Sequence, residues 1–179
     1  AGAAAAKHLA PKEVQAIGVL GAGIQARMQL KYLAEVSACR KVVVWNRTEE
    51  HAVSLCEEIA KMGFNATVVG HPRDVALNAN LIITTTPSRE PLLSADWIQP
   101  GTHITAVGSD TADKQELDSK ILSKARVVAD SLAQSESRGE IYRAVEAGDI
   151  DRSSVVELGN VMGGRSQGRM AEDEITIAD

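Results

Sequence analysis

Residues Val14–Ala26 read VQAIGVLGAGIQA. The apolar run Ala16-Ile17-Gly18-Val19-Leu20 has the length of a strand, and a helical pattern follows Ala26. Between them lies Gly21-Ala22-Gly23-Ile24-Gln25-Ala26, a G-x-G-x-x-A turn. Each small residue in such a turn has a physical task. Gly21 permits the tight exit from the strand, Gly23 lets backbone approach a pyrophosphate, and Ala26 lets helix and strand pack closely. The N–H groups and positive end of the new helix then face the phosphates. Strand before and helix after is the context this motif requires, so the stretch predicts dinucleotide binding through Gly21, Ala22, Gly23, Ile24 and Gln25. The alternative is a purely structural β–α turn.

Outward from this turn, apolar strands alternate with helices. Gly2–Ala10 reads as an Ala-rich helix closed by Pro11. Ile24–Val36 reads as a helix burying Ala26, Leu30, Leu33 and Ala34. Lys41–Trp45 is a strand, and Thr48 is placed to cap the helix after it. Further strands are expected at Ala66–Val69, Leu81–Thr85, Thr102–Val107 and Arg126–Ala129, with a short helix within His71–Asn80. Helices are expected at Lys114–Ala125 and Glu140–Ala147, and the Ser154/Glu157 spacing suggests a capping box for another. Gly159–Gly168 reads as a helix end and loop. Strands that are apolar throughout indicate a parallel sheet covered on both faces. The economical fold is one α/β, doubly wound Rossmann-type domain over residues 1–179, with strand order 3-2-1-4-5-6. Ligands in such a sheet bind at the carboxyl ends of strands near the order reversal, here Gly21–Gly23, Thr84, Thr85 and Thr86, and Val107 to Asp110 with Ser109 between.

The bulk numbers fit one well-buried globular domain of 179 residues, 44% hydrophobic and 24% charged. A net charge of −5, no basic block and 3% aromatics argue against a nucleic-acid surface. The apolar runs are too short to span a bilayer. Two cysteines, Cys39 and Cys56, make no disulfide framework, so a reducing cytoplasm is the expected location. Four scattered histidines, His8, His51, His71 and His103, lack metal-ligand spacing, and no metal site is expected. The sequence has no initiating Met and runs from inside one helical pattern to just past the strand-like Ile175-Thr176-Ile177. Both ends look cut, which suggests a domain of a longer protein.

The end of the second strand bears on which dinucleotide binds. An NAD-binding domain usually carries a carboxylate there, about twenty residues beyond the glycine motif, to bond the ribose 2′-OH. Here the position holds Asn46, followed by Arg47 and Thr48. A guanidinium suits a 2′-phosphate through bidentate, charge-assisted bonds. NADP(H) is therefore favoured, with NAD(H) the alternative. Arg47 as a solvated surface residue paired to Glu49 or Glu50 is the competing account. His51, one turn into the next helix, is a further candidate phosphate contact or simply an exposed side chain.

Asp110 is the candidate for proton chemistry. It follows the fifth strand, where a nicotinamide would lie, and hydride transfer at a carbon bearing nitrogen needs a proton donor or acceptor nearby. Asp is also common in caps and Asx-turns, and spacing leaves the two accounts open. Ser109 has no evident His partner, so no nucleophilic triad is proposed. Trp45 and Trp97 read as core anchors, and His103 as structural.

Several of these segments occur in the same order in one family. GAGIQAR, VVVWNRT, LIITTTPSREPLL, WIQPGTHITAVGSD, KQELD, VVADS and the tail from Gly168-Arg169 to Ile175-Thr176 resemble the ornithine cyclodeaminase/mu-crystallin family over essentially the whole chain. The QEL, GSD and ITIAD segments resemble its ectoine-utilisation and imine-reductase branch. The resemblance implies a cofactor domain that works with a separate substrate and dimerisation domain in a homodimer. It implies a small amino-acid or imino-acid substrate. In relatives an Arg-Thr pair stands just before the equivalent of Ala1, that Arg binds the substrate carboxylate, and an upstream Lys assists. Without them this stretch alone is expected to turn over no substrate. Asp110 matches the acid/base Asp of the cyclodeaminases, where mu-crystallin has Ser. Asn46-Arg47-Thr48 resembles the NADP-binding members. The implied activity is NAD(P)H-dependent reduction of an imine or imino acid, or the reverse dehydrogenation. The alternatives are an NAD-dependent cyclodeaminase that releases ammonia and a non-catalytic NADPH or ligand binder.

Overall fold

The computed structural model describes residues 1–179. Helix α1 (Gly2–Leu9) is followed by β1 (Ile17–Leu20), α2 (Ile24–Leu33), β2 (Lys41–Trp45), α3 (Glu49–Ala60) and β3 (Asn65–Val68). Next come α4 (Pro72–Asn78), β4 (Leu81–Thr84) and β5 (His103–Ala106). The remainder holds α5 (Ser119–Leu122), β6 (Ala125–Ala129), α6 (Gly139–Glu146), β7 (Val156–Glu157), α7 (Leu158–Met162) and β8 (Ile175–Ala178). All the strands join one parallel sheet. Period-two alternation sends Leu20, Val43, Ile82, Ile104 and Ile177 into the core shared with α4, α5 and α6. Ile17, Val19, Val42, Val44 and Ile83 point the other way, into the core under α2 and α3. A smaller core beneath α1 and α7 takes Val128 and Ala178. No helix is long and apolar enough to cross a membrane.

The strand order is β3-β2-β1-β4-β5-β8-β6-β7, not the simple 3-2-1-4-5-6. The last strand inserts between β5 and β6, pairing His103 with Thr176 on one side and Val127 with Ile177 on the other. Burial explains the placement. Thr176, Ile177 and Ala178 are all buried, so β8 needs cover on both faces and neighbours on both sides. The edges fall instead to β3, whose side chains are exposed or half-buried, and to the two-residue β7.

Three local expectations also change. The helix expected over Lys114–Ala125 is confined to Ser119–Leu122. Leu117 is drawn into a bridge with Leu93, and the N–H groups of Glu116 and Leu117 donate to the Glu140 carboxyl, at 2.7 and 3.2 Å. Asp118 then caps the short helix through Lys120 N–H. Ser154 and Glu157 form no capping box: Asp151 accepts from Ser153 N–H, and Val156–Glu157 pairs with β6. Thr48 stands at the start of α3 without a side-chain cap bond; Asn46 Nδ2 instead donates to the Thr48 carbonyl at 2.8 Å. Trp45 and Trp97 pack against the larger core while only partly buried.

A polar seam lies where α1 meets β5 and β8. Half-buried Arg169 donates to the carbonyls of Leu9, Thr102 and Glu174 and to Thr176 Oγ1. Thr176 Oγ1 donates to Leu9 O at 2.7 Å. It therefore accepts from His103 Nδ1 at 2.9 Å, which puts the ring proton on Nδ1 and leaves Nε2 to accept from Thr105 Oγ1 at 3.0 Å. This neutral ring satisfies every partner. Burial, and then the nearby Arg169 charge, hold the His103 pKa down at about 3. The structural reading of His103 fits this arrangement.

The pH dependence follows. The unfolded chain binds a proton at His103 near pH 6.5, and the folded chain does so only near 3. The stability this site contributes is thus fully present above about pH 6.5 and is lost as pH falls toward 3. Urea unfolding from pH 7 to pH 4 is expected to show wild-type protein losing stability relative to His103→Gln by an amount on the order of a few kcal/mol. A His103 ring that titrates near its ordinary value by NMR would contradict this.

Candidate functional site

At the exit of β1, Gly21 takes φ +100°, and a Cβ there would lie 2.7 Å from Thr85 Oγ1. Its N–H donates to Trp45 O at 2.9 Å, joining the turn to the end of β2. Gly23 differs in kind. It is the N-terminal cap of α2 with an ordinary extended backbone, φ −84° and ψ −169°, and a Cβ there would meet nothing within 4 Å. The fold itself therefore does not require glycine at this position. No side chain caps α2, so its first N–H groups face the same open space. Ala26, fully buried, lets the helix sit close to the sheet. Arg27 secures the turn from below, donating to Ala22 O at 2.6 Å and pairing with Glu58 of α3. A pyrophosphate fits this cradle by shape and by charge.

At the end of β2, Asn46 is half-buried while Arg47, Thr48 and His51 are exposed. Arg47 forms no ion pair with Glu49, Glu50 or any other carboxylate. At the end of β4, Thr84 is fully buried and does not reach the surface. Thr85 Oγ1 donates to Leu20 O at 3.1 Å, and Thr86 follows at the strand tip. Val107 N–H donates to Thr84 O at 2.9 Å, which holds the tip of β5 beside that of β4.

Past these tips opens a cleft of about 380 Å³ between α1, the end of β5 and the β6–α6 loop. Val107, Ser109, Asp110, Asp130, Arg138 and Asp179 are among its lining residues. The structure thus brings Ser109 and Asp110 together there, while the glycine turn and Arg47 lie outside its walls. The Asp110 carboxylate accepts from Lys114 Nζ at 2.5 Å and from no backbone N–H, so it forms neither the helix cap nor the Asx-turn. Its side chain is about two-thirds exposed, at 67%.

Beneath the cleft lie carboxyl groups to which sequence reasoning gives no role. Glu116 and Glu140 are 0% and 1% exposed. Glu116 accepts N–H bonds from Thr86 at 2.5 Å and Gly108 at 2.9 Å. Glu140 accepts from Ser109 Oγ and from the N–H groups of Glu116 and Leu117. Burial pushes both carboxyls up from the usual range, Glu140 to about 8, against the pull of the groups that donate to them. Asp179, also raised by burial, to about 6, accepts from Ile141 N–H at 2.9 Å and fixes the start of α6. Glu116 stands within KQELD and Glu140 opens a helical pattern, where an acidic residue is ordinary. Nothing local to either marks it as buried.

Comparison with known proteins comes to the same architecture. The model of the ornithine cyclodeaminase/mu-crystallin family matches residues 1–179. An alanine dehydrogenase of Archaeoglobus fulgidus is 42% identical over 183 residues, taking in 100% of this chain and 55% of that protein. A solved archaeal alanine dehydrogenase dimer with bound NAD matches with a TM-score of 0.95 at 38% identity, over 99% of this chain and 55% of that one. The iminosuccinate reductase of Paracoccus denitrificans in complex with NAD+ matches with a TM-score of 0.93 at 38% identity, over 99% of this chain and 54% of that one. The chain spans about half the length of the curated relatives it matches. With the family's model spanning every residue and the glycine turn in place, the chain belongs to the ornithine cyclodeaminase/mu-crystallin family.

Proposed function

We propose that this chain is the dinucleotide-binding half of an NAD(P)-dependent oxidoreductase that interconverts a 2-imino acid and a 2-amino acid. The observation that carries the reading is Gly23. A Cβ there would meet no protein atom within 4 Å, its backbone needs no glycine, and it stands at the N-terminus of a helix that no side chain caps. Glycine at this position suits a ligand that must approach the backbone closely. The dehydrogenase and reductase relatives support the reaction class. The substrate site would be completed by a further domain, and the functional protein would be a homodimer, as the alanine dehydrogenase neighbour is.

When bound, a nicotinamide dinucleotide supplies or takes up the hydride. The residues of this chain do the rest. The backbone of Gly21–Gln25 and the N-terminus of α2 hold the pyrophosphate, and Arg27 keeps that turn in shape. Arg47, free of carboxylate partners beside Asn46, binds a ribose 2′-phosphate, and His51 adds a contact; NADP(H) is accordingly preferred. Thr85, Thr86, Val107 and Ser109 line the approach to the nicotinamide end, with buried Thr84 behind them. Asp110 exchanges a proton with the substrate nitrogen at the cleft, with Lys114 holding its carboxylate in place.

Calorimetric titration of this chain tests the binding claim. Gly23→Val is expected to fold normally and to lose dinucleotide binding, because its side chain fills space that only a ligand would use. Unchanged affinity would remove the proposal.

In the same titration, Arg47→Ala is expected to cost NADPH about 1.5–3 kcal/mol of affinity and to leave NADH nearly untouched. Equal wild-type affinity for the two cofactors, or a preference for NADH, would refute the NADP(H) assignment.

Turnover is measured on the full-length protein that carries this chain. Asp110→Asn keeps the shape of the side chain but exchanges no proton. It is expected to lower kcat by a factor on the order of 10²–10⁴ with little change in cofactor affinity. Near wild-type kcat at every pH would show that Asp110 handles no proton in the reaction.

A further inference from the structure

The buried carboxyl pair is expensive to keep. Two carboxyl groups withdrawn from water cost free energy that neighbouring donors only partly return. What they bind is more informative. Glu116 joins Thr86, at the tip of β4, to Gly108, just past the tip of β5. The join is close: a Cβ on Gly108 would overlap both Thr86 O and the Glu116 carboxyl. Glu140 then holds Glu116 by its own N–H and takes the hydroxyl of Ser109. Ser109 is 6% exposed and still lines the cleft, and Asp110 is the next residue. Thus the hydrogen bonds that the two carboxyls accept come from Thr86, Gly108, Ser109 and the N–H groups of Glu116 and Leu117, with the Thr84 hydroxyl also beside Glu116. None reaches the glycine turn or the end of β2, where the other half of a dinucleotide would lie.

We propose that Glu116 and Glu140 are positioning residues for the nicotinamide half of the bound dinucleotide, setting through Thr86, Gly108 and Ser109 the floor on which the ring lies and the place from which Asp110 acts. This rests on the dinucleotide reading above. The pair touches neither cofactor nor substrate. It acts by fixing two strand tips whose spacing a solvated loop would leave variable, and alignment at the reacting carbon is sensitive to shifts of about 1 Å. The raised Glu140 pKa, about 8, reflects how completely water is excluded from this support.

The test compares a dinucleotide with a ligand that lacks nicotinamide. NADH and ADP-ribose, or NADPH and 2′-phospho-ADP-ribose if the phosphorylated pair binds better, share the glycine turn and differ at the ring. Wild-type chain is expected to bind the dinucleotide more tightly and to enhance its nicotinamide fluorescence. Glu140→Ala is expected to weaken dinucleotide binding about tenfold, abolish the enhancement, and leave ADP-ribose affinity within about twofold. Glu140→Gln keeps an oxygen for Ser109 and Glu116 N–H and is expected to restore most of the difference. Should Glu140→Ala not fold, Glu116→Gln is read in the same way, since one of its two N–H donors then faces an amide NH₂. Parallel weakening of both ligands would make the pair merely structural and overturn the proposal. So would no weakening of either, or wild-type protein that binds the dinucleotide no better than ADP-ribose. Wild-type protein that binds none of these ligands would instead overturn the dinucleotide reading, and this inference with it.

Discussion

Two carboxyl groups kept out of water hold the working end of this sheet together. A parallel sheet leaves strand-end N–H groups unpaired at its carboxyl edge, and a buried N–H without an acceptor is costly. Glu116 and Glu140 absorb those groups at the tips of β4 and β5 and in the segment that returns beneath them. Their demand for donors also decides local structure. It keeps Glu116 and Leu117 out of a helix that the sequence pattern otherwise favours, and it turns the Ser109 hydroxyl inward while Asp110 stays at the surface. The placement of the cleft's chemical groups follows from how these buried carboxyls are satisfied.

Much of the fold is legible from residue pattern. Ala16–Leu20, Lys41–Trp45 and Leu81–Thr85 are apolar runs between helical segments, and they lie within a residue of β1, β2 and β4. The glycine turn is legible because its steric demand is local, a positive φ at Gly21, with an open approach to the backbone at Gly23 beside it. What escapes the pattern is decided far along the chain. The place of Ile175–Ala178 between β5 and β6 depends on which strands need a neighbour. The shortened α5 depends on Glu140, 23 residues from Leu117. Asp151 takes the capping role that Ser154 and Glu157 suggest, because the next residues pair with β6. The candidate site divides the same way. Its phosphate end is written in one stretch, and its nicotinamide end is assembled from three.

The two ends are also built from different materials. In the proposed reading, the phosphate end is backbone and helix N-terminus, with exposed Arg47 at its margin, so its affinity would fall on groups already facing solvent. The nicotinamide end is a buried polar scaffold under a small cleft. On that reading, binding and alignment draw on separate residues, and a substitution would disturb one without the other.

The position of β8 has a kinetic consequence. It is the last strand in the sequence and one of the inner strands of the sheet, and it joins β5, some 70 residues earlier in register, to β6. Until it inserts, β5 and β6 both present bare edges, and the seam around Arg169 and Thr176 has nothing to close on. The half built on β1 to β5 can form from nearer contacts, whereas the other half waits for a long loop to close. Refolding should pass its slow step at this closure, and during synthesis the facing edges of β5 and β6 stay unpaired until the segment after Gly168 has cleared the ribosome. In that interval the open edges of β5 and β6 are where a second chain would mispair.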